Sequence, residues 1–226
     1  MLQSVSATAL PLAAFPAPSV PVVPRHRSGP QEFHPPRSTL FLQGYARDRQ
    51  YRLVEGCVAL SQLLPDGRRQ VMDILGPGRM IGVWTSDTSR CTAETLAYAL
   101  IEPVDGLSAG ENEAALRDMV ARAQALAMLL GRKTAMERVA TAILDLAAQF
   151  VRPTRNRRRG TVCFHLHPTR GDLADWLGLT VETVSRCFTR MKRAGLIDFQ
   201  QPEIVTLLKP DAIAHIAAGG TVTDTL

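Results

Sequence analysis

Residues 169–193, TRGDLADWLGLTVETVSRCFTRMKR, constrain this chain more than any other stretch. Two short segments with helical apolar spacing flank a break at Leu177-Gly178-Leu179. The first presents Leu173, Ala174 and Trp176; the second presents Val181, Val184, Phe188 and Met191 at steps of three and four. Gly178 gives the turn its backbone freedom, and Thr180 is a good N-cap for the second helix. Glu182, in the first turn after that cap, suits the positive end of the helix dipole. Two short helices joined by a small turn containing Gly form a helix-turn-helix.

On a helical wheel the second helix has two unlike faces. Val184, Phe188 and Met191 share one side, while Glu182, Ser185, Arg186, Thr189 and Arg190 share the other. A guanidinium can pair with guanine O6 and N7, and a carboxylate can accept from cytosine N4, so this polar face has the groups needed to read base edges. The plainer alternative is a solvated face carrying an i,i+4 pair between Glu182 and Arg186. Cys187 falls on the border between the two faces. It is either a thiol at the edge of the core or, with Arg186 and Arg190 lowering its pKa, a redox thiol whose oxidation sets a negative charge beside DNA phosphates.

Charge placement favours the polyanion reading. The chain carries a net charge of +5 over 226 residues. Residues 152–209 hold 11 Lys/Arg and 5 Asp/Glu, a net of +6, and the remainder is −1. A generally basic surface would spread the excess, whereas here it sits with the helix-turn-helix. Arg152 to Gly160, RPTRNRRRG, adds five arginines in a loop. Beside a reading helix, Arg155, Arg157, Arg158 and Arg159 suit phosphate contact, together with Arg170, Thr183 and Arg190.

The rest of the chain divides by pattern. Residues 1–37 hold eight of the fifteen prolines and read as a disordered tail. Residues 38–110 read as short antiparallel strands, with turns at Gly56, Pro65-Asp66-Gly67 and Pro77-Gly78 and one strand over Thr92 to Ile101. Residues 111–134 read as a long helix whose stripe, Leu116, Met119, Ala123, Leu126 and Leu130, forms either core or a dimer seam; Gly131 marks its kink or end. Residues 135–226 begin with a second helix, from Met136 to Phe150. A strand over Val162, Phe164 and Leu166 follows, and a hairpin around Gln201-Pro202 turns the helix-turn-helix into a winged helix. The fold class is therefore α+β: an antiparallel β-roll, a long helix, then a winged helix-turn-helix.

Hydrophobic content of 46% is ample for a core, yet no apolar run reaches transmembrane length. The proline-broken start lacks the basic region of a signal peptide, which implies a cytoplasmic protein. The four cysteines, at 57, 91, 163 and 187, have no CxxC spacing.

In this order of elements the chain resembles the CRP/FNR family of bacterial transcription regulators, over about residues 38–210. The carrying residues are Gly56, Asp66-Gly67-Arg68-Arg69-Gln70, Pro77-Gly78 and Gly82, then LGRKTAMERVA at 130–140, and above all LADWLGLTVETVSR at 173–186. RCTAE at 90–94 and ETVSRCFTRM at 182–191 look most like the FixK branch. The resemblance implies a roll like a cyclic-nucleotide-binding domain, a dimerisation helix and a homodimer on double-stranded DNA. It also implies an activator that contacts RNA polymerase and has no enzymatic activity. Glu182, Ser185 and Arg186 match the base-reading residues of the FNR-like branches. Val181 stands where the CRP branch has Arg, which implies a TTGAT half-site. The glutamate that binds the ribose in cyclic-nucleotide members is replaced by Val83, so cAMP is not expected. Residues 1–56 contain no cysteine, which removes an FNR-type cluster, and no cofactor or metal is expected. Two other readings stay open: a haem- or gas-sensing member using Cys57, Cys91 or a tail histidine, and a cupin-like metal enzyme. Against the second, all five histidines lie outside 38–104.

Overall fold

The computed structural model describes residues 29–46, 49–83, 86–104, 106–151 and 161–221. The N-terminal roll consists of β1 Glu32–His34, β2 Thr39–Phe41, β3 Gln50–Glu55, β4 Val58–Leu63, β5 Arg69–Leu75, β6 Met80–Ile81, β7 Thr92–Thr95 and β8 Ala99–Val104. They form two four-stranded antiparallel sheets, ordered β1-β8-β3-β6 and β2-β7-β4-β5. Leu53, Val58, Leu75, Ile81 and Ile101 fill the space between them.

The turns explain how the sheets connect. At Pro65-Asp66-Gly67, Gly67 takes φ +87 and its N–H bonds the Leu64 carbonyl at 2.9 Å, closing the β4–β5 hairpin. Gly56, between β3 and β4, takes φ +98, and any Cβ there would collide with the Tyr98 carbonyl oxygen. That close approach lies where the expected single strand over Thr92 to Ile101 divides. Its first half pairs with β2 and β4, its second with β1 and β3, and the chain changes sheets between them. Alternating side chains signal an extended chain but do not report a change of partner. The expected tail also ends too late: β1 pairs with β8 through Glu32, Phe33 and His34.

α1, Ala109–Arg132, starts at a capping box between Ser108 and Glu111. It begins two residues before the expected 111 and runs through Gly131. The break falls at Lys133, which is extended, and Thr134, whose capping box with Glu137 opens α2, Ala135–Phe150. The residues expected to line a dimer seam divide. Leu126 is only 4% exposed within its own chain, Leu130 packs on the core, and Met119, Ala123 and Leu126 line a cavity between α1 and the roll. Leu126 is therefore covered without a second chain. The large apolar side chains that α1 exposes are Val120 and Met128, at 49% and 63%. A helical stripe identifies an apolar face, but one period serves a roll and a partner helix equally well.

The winged helix follows: β9 Val162–His165, α3 Arg170–Leu177, α4 Val181–Arg193, β10 Ile197–Gln201, β11 Ile204–Leu207 and α5 Pro210–Ala217. Its sheet is ordered β10-β11-β9. Trp176 and Phe164 are fully buried at its centre, and Val184, Phe188 and Met191 bury the inner face of α4. Each such side chain contributes about 1.5–3 kcal/mol on burial. Val181, expected on that face, is 51% exposed, because it is the first helical residue and projects past the packed turns. Among the described residues no helix is long and apolar enough to cross a membrane.

Candidate nucleic-acid interface

Local sequence sets the geometry of the reading unit. Thr169 caps α3 in a reciprocal box with Asp172, and Gly178 ends it in the left-handed conformation, φ +60 and ψ +45. Thr180 then caps α4 by accepting from the Thr183 N–H at 3.2 Å. A side chain at Gly178 would be strained, so this turn fixes α4 relative to α3.

The outer face of α4 is open. Glu182, Ser185, Arg186, Thr189, Arg190 and Arg193 line one shallow concavity. Glu182 and Arg186 form a loose i,i+4 pair at 3.6 Å with both side chains largely solvated. Ser185 donates to the Val181 carbonyl at 2.9 Å, which leaves its oxygen able to accept. Thr183 shares its hydroxyl with Thr180 at 2.9 Å. No carboxylate pairs with Arg190 or Arg193 among the described residues. A second concavity adjoins, lined by Arg170, Ser185, Phe188, Thr189, Lys192 and Phe199. The Arg170 guanidinium lies over the Phe188 ring at 3.5 Å, and burial lowers its pKa to about 10. It stays charged at neutral pH and half-buried, and among the described residues no carboxylate pairs with it, so an approaching anion meets an unneutralised cation. Arg155, Arg157, Arg158 and Arg159 lie outside the described residues.

Cys187 is turned inward. It is 7% exposed, and burial raises its thiol pKa against the opposing pull of Arg190 and Arg186. Those arginines are near, as the sequence implies, but desolvation outweighs them, which disfavours the reactive thiolate. Cys57 is fully buried and its thiol is pushed well up, and Cys91 is raised by burial as well. Among the described residues no three His, Cys, Asp or Glu side chains converge as a metal site.

Sequence reasoning missed the junction between roll and winged helix. Asp172, 1% exposed, accepts from Arg37 at 2.8 and 3.2 Å, from the Thr169 backbone and hydroxyl at 3.0 and 2.7 Å, and from Arg69. Burial pushes its carboxyl up, and these bonds outweigh burial and hold it well below the usual carboxylate range. Arg69 also donates to Asp175 at 2.8 Å, and both arginines reach Glu94. Nearby, the buried Arg122 of α1 binds Asp73 of β5 and Asp145 of α2. The spacing Thr169-x-x-Asp172 advertises a capping box, but nothing local names two arginines more than 100 residues away.

The cavity between α1 and the roll measures about 630 Å³. Val83, Met72 and Leu75 contribute apolar lining. Arg79 sits in its wall, 2.8 Å from Asp118 and 3.6 Å from Asp73. Arg90, also in the lining, has no carboxylate partner among the described residues.

Known proteins share this arrangement. Residues 31–101 match the cyclic nucleotide-binding domain, and residues 137–216 match the Crp-like helix-turn-helix domain. Over 199 residues the chain is 32% identical to the nitrogen fixation regulation protein FixK of Rhizobium meliloti, which covers 85% of this chain and 90% of that one. It is 32% identical over 195 residues to the transcriptional activatory protein AadR of Rhodopseudomonas palustris, covering 81% and 79%. The structure of FixK2 from Bradyrhizobium japonicum is similar with a TM-score of 0.74 at 27% identity, covering 86% of this chain and 99% of that one. The roll, the open reading helix and these likenesses along most of the chain agree: the protein is a DNA-binding transcription regulator, not an enzyme, and it belongs to the CRP/FNR family.

Proposed function

We propose that this chain works in the cytoplasm as a homodimer that reads a palindrome of TTGAT half-sites and activates transcription in contact with RNA polymerase. The observation that carries the reading is the solvent-facing set Glu182, Ser185 and Arg186 near the start of α4, where a recognition helix meets base edges. Thr183, Arg190, Arg170 and the arginines of 152–159 serve the phosphates around it. A dimer is favoured by Val120 and Met128, which leave apolar surface open on a 24-residue helix. Activation rests on likeness to AadR, a transcriptional activatory protein.

A cyclic nucleotide has no place in this reading. Val83 lines the cavity where the resemblance calls for a glutamate, so that position offers ribose hydroxyls no acceptor. Arg79 is already engaged by Asp118 and Asp73.

The test is a titration of full-length protein against a TTGAT palindrome and a scrambled duplex of equal length, at fixed salt, with sedimentation giving the stoichiometry. Two chains per duplex and an affinity ratio of ~10³ or more are expected for specific readout. Equal affinity for both duplexes would remove the half-site assignment, and a monomer at micromolar concentration on DNA would remove the dimer.

A further inference from the structure

The winged helix is tied to the roll at two places on different helices. One is the buried anchor on α2, where Arg122 holds Asp145 and where the Gln149 amide accepts from the Gly76 N–H at 2.8 Å. The other is on α3. Asp172 and Asp175 are bound there by Arg37 and Arg69, and Gln70 donates to the Trp176 carbonyl at 3.3 Å. The covalent link between the two halves is the extended break at Lys133-Thr134. A single anchor beside such a break permits rotation, and a second on another helix fixes a direction.

Arg37 carries a further mark. It is the only non-glycine with positive φ, +66, among the described residues. That conformation costs free energy in a side-chain-bearing residue and persists only where its surroundings impose it. Here the Arg37 N–H bonds the Thr95 carbonyl at 2.7 Å while the guanidinium spans both oxygens of Asp172. The strained residue between β1 and β2 is thus aimed at the helix that precedes the reading helix. Through Gly178 and Thr180, whatever fixes α3 also fixes α4.

We propose that Arg37 and Arg69, gripping Asp172 and Asp175, are positioning residues that set the direction of the reading helix against the roll and thereby the half-site spacing the dimer accepts. The proposal rests on the dimer reading above for its spacing consequence alone. Each added base pair moves one half-site by ~3.4 Å and turns it by roughly 35°. Fixed reading heads cannot follow that displacement, and loosened heads can.

The experiment compares the parent, Arg37→Ala with Arg69→Ala, and the conservative pair Arg37→Lys with Arg69→Lys, which keeps both cations. Each is titrated against TTGAT palindromes whose spacer is changed by one and two base pairs, and hydrogen exchange is followed in the full-length protein. The parent is expected to favour one spacing sharply. The double alanine variant is expected to lose about tenfold of that discrimination, the size of an ordinary coupling between contacting groups. It should also exchange faster at α3 and β5, while the cores of roll and winged helix keep their protection. The lysine pair is expected to keep part of both. Unchanged spacing preference and unchanged exchange in the alanine variant overturn the proposal. So does faster exchange spread evenly over the molecule, which marks a merely stabilising contact. If the parent is a dimer on DNA by sedimentation and still shows no spacing preference, its heads are loose and the proposal falls; if it is a monomer, the dimer reading fails, and exchange at α3 and β5 alone decides whether the grip positions the helix.

Discussion

Arginine has opposite surroundings in two regions of this molecule. On α4, Arg186, Arg190 and Arg193 face solvent with one loose pair among them. Between the roll and the helices packed on it, Arg37, Arg69, Arg79 and Arg122 are each held by at least one carboxylate, and Arg79 and Arg122 are buried. Removing a charge from water costs several kcal/mol, so a buried guanidinium persists only with partners supplied by its own fold. A guanidinium available to a partner outside the chain must stay solvated until that partner arrives. The contrast separates groups that hold the protein together from groups left free for an outside partner.

The comparison breaks most visibly at Arg122. Arg122→Met leaves the buried Asp145 without its cation and Asp73 with Arg79 alone at 3.6 Å, and is expected to cost about 3–5 kcal/mol of stability, read by denaturant unfolding. A loss below ~1 kcal/mol, the range of exposed pairs, would show that the cluster is solvated. Arg186→Ala should do the reverse. Stability should stay within about 0.5 kcal/mol of the parent, since the residue is exposed and loosely paired. Specific binding should weaken by about 1–3 kcal/mol and discrimination at a G·C pair should relax. Equal losses on specific and random duplexes would demote Arg186 to a phosphate contact. The smallest effect belongs to Cys187, which lies between the two regimes. Its thiol is buried and its pKa raised, so a peroxide titration should affect DNA binding by the parent and by Cys187→Ser alike. Selective loss in the parent would mean that the rim of α4 opens far enough to expose the sulfur.

Local rules account for much of what was legible beforehand. The cap at Thr180, the turn at Gly178, the hairpin at Pro65-Asp66-Gly67 and the two faces of α4 each depend on residues within a few positions of one another. They occur where the chain's pattern puts them. The misplaced features depend on partners far along the chain. The strand over 92–101 divides because its halves join different sheets. Leu126 faces its own roll because that surface lies opposite, and Val181 is exposed because no element covers the first turn of α4.

By itself, then, the sequence determined the roll's turns, the long helix, the winged helix and the two faces of α4, because hydrophobic period, capping chemistry and turn stereochemistry act over a turn or a strand. Only the tertiary structure decided which charges are free and which are bound. Asp172 looks like any helix-capping carboxylate until Arg37 and Arg69 arrive from positions 135 and 103 residues away. Cys187 looks activated by its neighbours until packing removes its water. Desolvation is a property of everything that surrounds a group, and a one-dimensional pattern carries no record of it.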